Sequence, residues 1–222
     1  MFVDEAKWIG TQISELTFQR RPIRCLNLGS STGYYREISQ PHINQYIFDP
    51  LRALGKVTHM DIKEADGVDV ACDFMDESSW SAVPVRAYDL VVCSNLLTHV
   101  ADQIKVFKLI KRSVTPGGYI LISAPHLYPY CADPFDAKYR PSQDDIVHCF
   151  EGYSFVRGAK ISINESHFTR LRRDPRAVAS LVANLLLPIN GFARWQAIAS
   201  DLPNLLKPLT TVCLILQAPS AI

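Results

Sequence analysis

Short apolar segments alternate with longer amphipathic ones along the chain, and this alternation predicts repeated units of strand and helix. Residues 1–20 place apolar side chains three or four positions apart, which predicts a leading helix. Runs that are apolar at nearly every position are typical of parallel strands covered on both faces. Five strands are predicted at residues 23–28 (IRCLNL), 57–61 (VTHMD), 68–72 (VDVAC), 88–94 (YDLVVCS) and 119–124 (YILISA), and the fourth is a run of this kind.

The segments that connect these strands contain residues that interrupt, begin or end helices. Pro41 and Pro50 interrupt residues 34–55, so we expect short helical pieces there. Residues 102–114 have the spacing of an amphipathic helix that stops at the Pro-Gly-Gly turn of residues 116–118. The remaining predicted elements are a helix start capped at Ser142, strands at 155–163 and 210–216, and a helix from about 174 to 187.

The elements in this order predict an α/β fold: a doubly wound, mostly parallel seven-stranded sheet with helices on both faces. A length of 222 residues suits a single domain. With 48% hydrophobic residues and a net charge of +1, the composition is that of a packed globular protein, and its bulk charge does not indicate a nucleic-acid partner.

The first residues and the longest apolar run indicate where in the cell the protein is expected. The first residues carry Asp4, Glu5 and Lys7, unlike a secretory signal, and the apolar run at 177–192 is interrupted and too short to cross a bilayer. We therefore expect a cytoplasmic protein without a membrane span. The apolar stretch at 177–209 could form a homodimer contact or a membrane-facing surface, although such a stripe more often packs in the core.

Cysteine and histidine spacing argues against covalent or metal cross-links. Four cysteines lie within apolar strand-like runs and no CxxC pair occurs, so buried free thiols are expected at Cys25, Cys72, Cys93 and Cys213. A second group of cysteines and histidines does not have the residue spacing of known zinc sites. We therefore expect no metal at His126, Cys131, His148 and Cys149.

A turn of small residues, LGSSTG, follows the first strand, where ligands bind in parallel sheets. The dinucleotide fingerprint needs three glycines, but Ser31 and Tyr34 occupy its second and third positions. We expect Tyr34 and Tyr35 to exclude a pyrophosphate. The pattern therefore disfavours an NAD-type oxidoreductase and suits a ligand that lacks phosphates.

Four segments in order, CLNLGSSTG, MDI, YDLVVCSNLLTHV and the Pro-Gly-Gly turn before YILISAPH, resemble the motifs of class I S-adenosylmethionine (SAM)-dependent methyltransferases. The resemblance covers about residues 23–126. It implies that the turn at 29–33 wraps the methionine moiety, that Asp61 accepts both ribose hydroxyls, and that Ser94 lies on the sulfonium side. The whole implied SAM-binding set is Asn27, Gly29, Ser30, Ser31, Gly33, Asp61, Ile62, Asp73, Phe74, Ser94 and Asn95, with residues 23–124 as the cofactor-binding half and 125–222 as the substrate side.

The chain also departs from the family pattern. Asn27 stands where an acid is common, Ser30 and Ser31 stand where glycine often occurs, and Thr98 replaces the acid that often precedes the position of His99. Two functions from different classes follow: a SAM-dependent methyltransferase, and a non-catalytic SAM-fold binding or scaffold protein in which these changes have lowered affinity for SAM.

Methyl transfer needs alignment of the two substrates and removal of a proton from the acceptor. His99 follows the fourth strand and His126 the fifth, so either is a candidate base, with a hydrogen-bonded structural histidine as the alternative. The loop at 126–140 mixes tyrosines with acids. It is expected to cover a polar acceptor, either a small molecule or a saccharide, methylated on oxygen or nitrogen; a packing loop is the alternative.

Overall fold

The computed structural model of the chain describes residues 1–19, 21–129, 135–166, 168–169, 175–186, 195–196, 199 and 202–220. The helices α1 to α5 are Val3–Ser14, Asp49–Leu54, Gln103–Ser113, Gln143–His148 and Pro175–Leu186. The strands β1 to β7 are Ile23–Leu28, Gly55–Asp61, Val70–Ala71, Tyr88–Ser94, Val114–Leu127, Ser154–Ser166 and Pro208–Gln217. Short π-helical turns occur at Tyr35–Ser39 and Asn44–Phe48, and short 3₁₀ turns at Glu77–Ala82, Leu97–His99 and Leu202–Asn204.

The strands form one sheet in the order β3-β2-β1-β4-β5-β7-β6. β1 lies between β2 and β4 and runs parallel to both, with Cys25 opposite Val57 and Leu90. β7 runs antiparallel to β5 and β6. The strand order reverses direction at β1 and β4, so the crevice beyond their carboxyl ends is the place where ligands bind in such sheets. The predicted α/β sheet is confirmed.

Two apolar layers cover the sheet, one on each face. Along β1, Leu26 and Leu28 join the layer that contains α3 and α4, whereas Ile23 and Cys25 join the layer that contains α1 and α2. β5 alternates in the same way, since Ile120 faces the first layer and its neighbours Tyr119 and Leu121 face the second. Because successive side chains of a strand point to opposite faces, continuous apolar strands require helices on both sides.

α1 crosses close to the turn Asn44–Phe48, and Gly10 is the residue that permits it. A Cβ atom at position 10 would lie 2.2 Å from the Tyr46 carbonyl oxygen, which is closer than atoms can pack. Ala6, Ile9 and Ile13 on the same face of α1 are fully or almost fully buried. This close crossing fixes the first turn of α1 over the carboxyl edge of the sheet.

Several predicted elements have the observed bounds, others are shorter, and β5 is longer, since it spans Val114–Leu127 where residues 119–124 were predicted. β1 and β4 match the predicted strands, and short helical turns replace one crossover helix between β1 and β2. The leading helix ends at Ser14, six residues earlier than predicted. Beyond it the backbone is non-helical, and the ring of Phe18 packs edge-on against Tyr119. α3 ends at Ser113, because Val114 already has extended backbone and begins β5, which includes the Pro-Gly-Gly segment of residues 116–118.

The third strand is shorter than predicted. It spans only Val70–Ala71, because it lies at the sheet edge and pairs with β2 over two residues alone. The prediction of residues 68–72 was therefore right in position and too long.

The described cysteines are free thiols, as predicted for Cys25, Cys72, Cys93 and Cys213. Burial raises the pKa of the Cys93 thiol to about 12 and raises those of Cys25 and Cys213 as well, so these side chains remain protonated apolar groups. Within the described part of the chain, no helix combines the length and apolar character that crossing a bilayer requires.

Candidate active site

A cavity of about 670 Å³ opens at the carboxyl edge of the sheet, where β1, β2, β4 and β5 end. Small-molecule sites have volumes of roughly 300–1,000 Å³, so this cavity has the size of a ligand site. The structure brings most of the predicted residues together in its lining: Asn27, Gly29, Ser30, Ser31, Asp61, Ile62, Asp73, Phe74, Ser94, Asn95 and His99. Gly33 and His126 are not in the lining.

The turn after β1 has a backbone that only small residues tolerate. Gly29 has φ +70°, and a Cβ atom there would come within 2.8 Å of the Leu96 side chain. Ser31 has φ +53°, which is uncommon for a residue other than glycine. The Asp61 carboxylate holds this conformation by accepting the Ser31 backbone N–H at 2.7 Å and the Lys63 N–H at 3.2 Å.

Arg36 fixes the carbonyl side of the same turn. Its Nη1 donates to the carbonyl oxygens of Ser30 at 2.7 Å and Ser31 at 2.8 Å, and its Nη2 donates to the Gly67 carbonyl at 2.6 Å. The side chain is only 2% exposed, and burial lowers the pKa of the guanidinium, with Arg52 acting in the same direction. Arginine still stays protonated, so a buried cation lies beneath the turn.

Gly33 contributes to the site through packing. Its N–H donates to the Asp66 carbonyl at 2.8 Å. A Cβ atom on Gly67 would lie 2.5 Å from the Gly33 Cα atom. The two glycines therefore let the loop after β2 approach the turn after β1, and Gly33 supports the cavity wall from outside the cavity.

Asn27, the residue in place of the acid common in the family, pairs with a neighbouring histidine. Its Nδ2 lies 3.1 Å from Nδ1 of the buried His59, in β2. Burial, followed by the charge of Arg36, lowers the His59 pKa to about 4. A neutral imidazole accepts a hydrogen bond at Nδ1 from an amide, so the two side chains are chemically matched.

Residues after β4 and from α1 form another part of the lining. The Ser94 hydroxyl oxygen is buried and has no hydrogen-bond partner among the described residues. Asn95 has φ +57° and donates from Nδ2 to Glu5 Oε1 at 2.9 Å. Glu5 also accepts from the Ser123 hydroxyl at 2.7 Å. An unpartnered buried hydroxyl at the cavity wall is a group that a polar ligand would satisfy.

His99 is held by the loop that follows β5. Its Nδ1 lies 2.7 Å from the Phe135 carbonyl oxygen, and because a carbonyl can only accept, Nδ1 carries the hydrogen. The Nε2 lone pair is then the one that can accept a proton. The Ala137 N–H donates to the Thr98 carbonyl at 2.8 Å, which ties this loop to the turn Leu97–His99.

An ion pair stabilises the same loop. Arg140 Nη2 lies 2.7 Å from Asp136 Oδ2, and the Asp136 side chain is fully buried. Arg140 also donates to the carbonyl oxygens of Tyr128 and Pro129. These contacts join Asp136 and Arg140 to residues 128 and 129, and Phe135 and Tyr128 line the cavity. The predicted loop residues Tyr130 and Asp133 lie outside the described residues.

His126 lies at a second, smaller cavity of about 220 Å³, next to Arg140 and Leu209. Its Nδ1 is 2.9 Å from the Pro141 carbonyl oxygen. The two histidines predicted as candidate bases thus face different cavities. Only His99 shares a lining with Asp61 and the turn after β1.

Sequence reasoning missed the exposed Lys63 in the lining and two further charged residues of the site, Glu5 and Arg36. Both are buried and both line the cavity. Glu5 has the sequence pattern of an ordinary acid in the first turn of a helix, and Arg36 belongs to none of the motifs, so neither had a sequence signal. The two tyrosines after the turn lie in different environments. Tyr35 lines the cavity, and its hydroxyl accepts a hydrogen bond from Gln40 Nε2. Tyr34 is 67% exposed and does not line the cavity.

Comparison with known proteins gives the family context. The methyltransferase-domain family matches residues 6–160, a span from α1 into β6. No curated protein sequence matches the chain. The fold is similar to that of a candidate sarcosine dimethylglycine methyltransferase from Galdieria sulphuraria, at 14% identity, over 98% of this chain and 85% of that chain, with a TM-score of 0.58.

Two further solved structures are similar at low identity. The [4+2]-cyclase SpnF matches over 97% of this chain and 81% of its own, at 14% identity and a TM-score of 0.57. Coclaurine N-methyltransferase, solved with N-methylheliamine and S-adenosylhomocysteine (SAH), matches over 97% of this chain and 72% of its own, at 12% identity and a TM-score of 0.55. At these identities the likeness shows the shared fold.

The buried His59 makes a prediction about acid stability. The folded state holds its pKa near 4, whereas the ordinary value is 6.5, so the unfolded state binds more protons between these values. The free energy of unfolding should fall as pH drops from 6.5 to 4, by roughly 3 kcal/mol at about 1.4 kcal/mol per pKa unit, and this contribution should level off below pH 4. Denaturant unfolding at a series of pH values measures the slope.

The variant His59→Gln should flatten that slope, because it removes the titrating group. His148→Gln, which replaces an exposed histidine, is the matched control and should keep it. A slope that is equal in the wild type and in His59→Gln would show that other groups carry the loss of stability.

Proposed function

The chain belongs to the class I SAM-dependent methyltransferase family, and we propose that it transfers the methyl group of SAM to a small-molecule or glycan acceptor in the cavity at the carboxyl edge of the sheet. The single observation that carries this proposal is the shared lining: the turn after β1, Asp61 and His99 all face one cavity. A donor site and a candidate base are thereby held in the same enclosed space, as transfer requires.

The donor residues fit the chemistry of SAM. Each Asp61 oxygen already accepts one backbone N–H, which leaves lone pairs for the two hydroxyls of a ribose. Asp73 and Phe74 lie in the same lining and offer a polar and an aromatic contact to an adenine. The unpartnered Ser94 hydroxyl supplies a further polar contact near the end of β4.

When bound, SAM supplies an activated methyl group on a sulfonium. The residues of this chain align the acceptor, exclude water and accept its proton. His99 is the better placed base, because its Nδ1–H is fixed on the Phe135 carbonyl and its Nε2 can accept a proton. His126 faces the smaller cavity, so the role proposed for His99 does not extend to it.

The departures at positions 27 and 31 are compatible with donor binding. Asn27 is matched to a neutral histidine, and the positive φ of Ser31 is held by Asp61. A scaffold protein without transfer activity remains distinguishable by experiment: it would bind SAM and SAH but release no SAH with any acceptor in a broad panel.

Calorimetry with SAH and NAD tests the donor site. We expect SAH to bind and NAD to give no heat. Asp61→Ala should weaken SAH binding by about 1.5 to 3 kcal/mol, the usual loss when hydrogen bonds to a charged group are removed.

Asp66→Ala is the matched control. It removes an exposed carboxylate from the loop after β2, and Asp66 does not line the cavity. It should leave SAH affinity unchanged. NAD binding without SAH binding would overturn the proposal, and an unchanged affinity in Asp61→Ala would move the ribose contact elsewhere.

Substitution of His99 tests its role as the general base. With an acceptor identified from a panel, His99→Ala should lower the turnover number by roughly 100- to 10,000-fold, the usual contribution of general-base catalysis. SAH affinity should stay the same, because the imidazole contacts the acceptor. His126→Ala is the control that removes a histidine of the smaller cavity and should retain turnover. The assignment fails if His99→Ala turns over normally or if His126→Ala shows the larger loss.

A further inference from the structure

Glu5 places a buried carboxylate in the wall of the cavity. The residue is 1% exposed and belongs to the first turn of α1. Its Oε2 accepts the Phe2 backbone N–H at 3.0 Å, and its Oε1 accepts from Asn95 Nδ2 at 2.9 Å and from the Ser123 hydroxyl at 2.7 Å. All three donors are neutral, so they orient the carboxylate without cancelling its charge.

Three residues that carry a positive charge line the same cavity: Met1 with its terminal ammonium, which donates to Gln40 Oε1 at 3.0 Å, Arg36 and Lys63. Among the residues that the structure describes, no lysine, arginine or histidine forms an ion pair with Glu5. Arg36 lines the same cavity, but its Nη atoms donate to three backbone carbonyls. A buried carboxylate is strongly disfavoured unless a positive charge accompanies it. Of its roughly four acceptor positions, three are used, so one remains for a ligand.

The carboxylate lies where two central strands end. Asn95 directly follows β4, and Ser123 lies in β5 opposite Ser94. The family resemblance implies that Ser94 and Asn95 lie on the sulfonium side of SAM. Phe2, Tyr128 and Phe135 line the same cavity, and the faces of aromatic rings also attract cations. The negative charge therefore belongs to the region where the methyl group would be transferred.

We propose that Glu5 selects a positive charge at the point of methyl transfer and makes the acceptor an amine. This inference rests on the proposed function and narrows it from oxygen or nitrogen to nitrogen. Glu5 would act as a specificity-determining residue that touches the cationic donor and the cationic product.

The charges formed during transfer distinguish an amine acceptor from a hydroxyl acceptor. In transfer to an amine, the nitrogen lone pair forms the N–C bond while the C–S bond breaks with its electron pair going to sulfur. The positive charge passes from sulfur to nitrogen, so a cation stays near the carboxylate throughout. An acceptor that arrives as an ammonium first gives a proton to His99 Nε2, which frees the lone pair, and the methylated product leaves as an ammonium. With a hydroxyl acceptor, the nucleophile becomes negative and the product is neutral, which leaves the buried carboxylate uncompensated.

Two analogues of SAM test the charge selection by calorimetry on the full chain. Sinefungin carries an amino group, protonated at neutral pH, near the position of the methyl sulfonium, whereas SAH has a neutral thioether there. The wild type should bind sinefungin about 10- to 100-fold more tightly than SAH, as expected for one charge-assisted hydrogen bond. Glu5→Gln keeps the side-chain shape and should remove this preference while leaving SAH affinity nearly unchanged.

Asp4→Asn is the matched control, because it removes an exposed carboxylate from the same turn of α1. It should keep the preference for sinefungin. An equal loss of both ligands in Glu5→Gln would place Glu5 on the amino-acid group common to the two, and would overturn the inference. If Glu5→Gln does not fold, the wild-type ratio decides, and a ratio near one contradicts the proposal. Failure of SAH to bind at all would instead count against the proposed function.

Discussion

Two buried charges hold the turn after β1 from opposite sides of its peptide groups. Asp61 accepts the Ser31 N–H, and Arg36 donates to the carbonyl oxygens of Ser30 and Ser31. A positive φ at a residue other than glycine costs of order 1 kcal/mol, and hydrogen bonds to charged groups are strong enough to offset it. Because Arg36 also binds the Gly67 carbonyl, the turn, the loop after β2 and the end of β2 form one rigid wall of the cavity.

That wall explains how the chain accommodates its departures from the family pattern. Serines replace glycines in the turn where a charged frame fixes the backbone. The amide at position 27 meets a histidine whose pKa is lowered by burial, so neither side chain of the pair carries a charge near neutral pH. The negative charge that the turn lacks at position 27 is present elsewhere in the same cavity, on Glu5.

The sequence predicted the parts of the structure that depend on local pattern. Apolar strands such as Ile23–Leu28 and Tyr88–Ser94 were sufficient to locate the sheet, and the family resemblance supplied the donor-site residues that line the cavity. Glu5 could not be found in this way, because its role depends on α1 crossing closely at Gly10, a contact between segments distant in sequence. His126 shows the converse: it follows the predicted fifth strand, but in the structure it lies inside β5 and lines another cavity.

The central claim is that one cavity at the carboxyl edge of the sheet holds the methyl donor beside the acceptor. A crystal structure of the chain with SAH tests it most directly. The account predicts both ribose hydroxyls within hydrogen-bonding distance of the Asp61 carboxylate, and the sulfur facing Asn95 and Glu5. Ordered SAH whose ribose lies away from Asp61, or that occupies the smaller cavity beside His126, would contradict it.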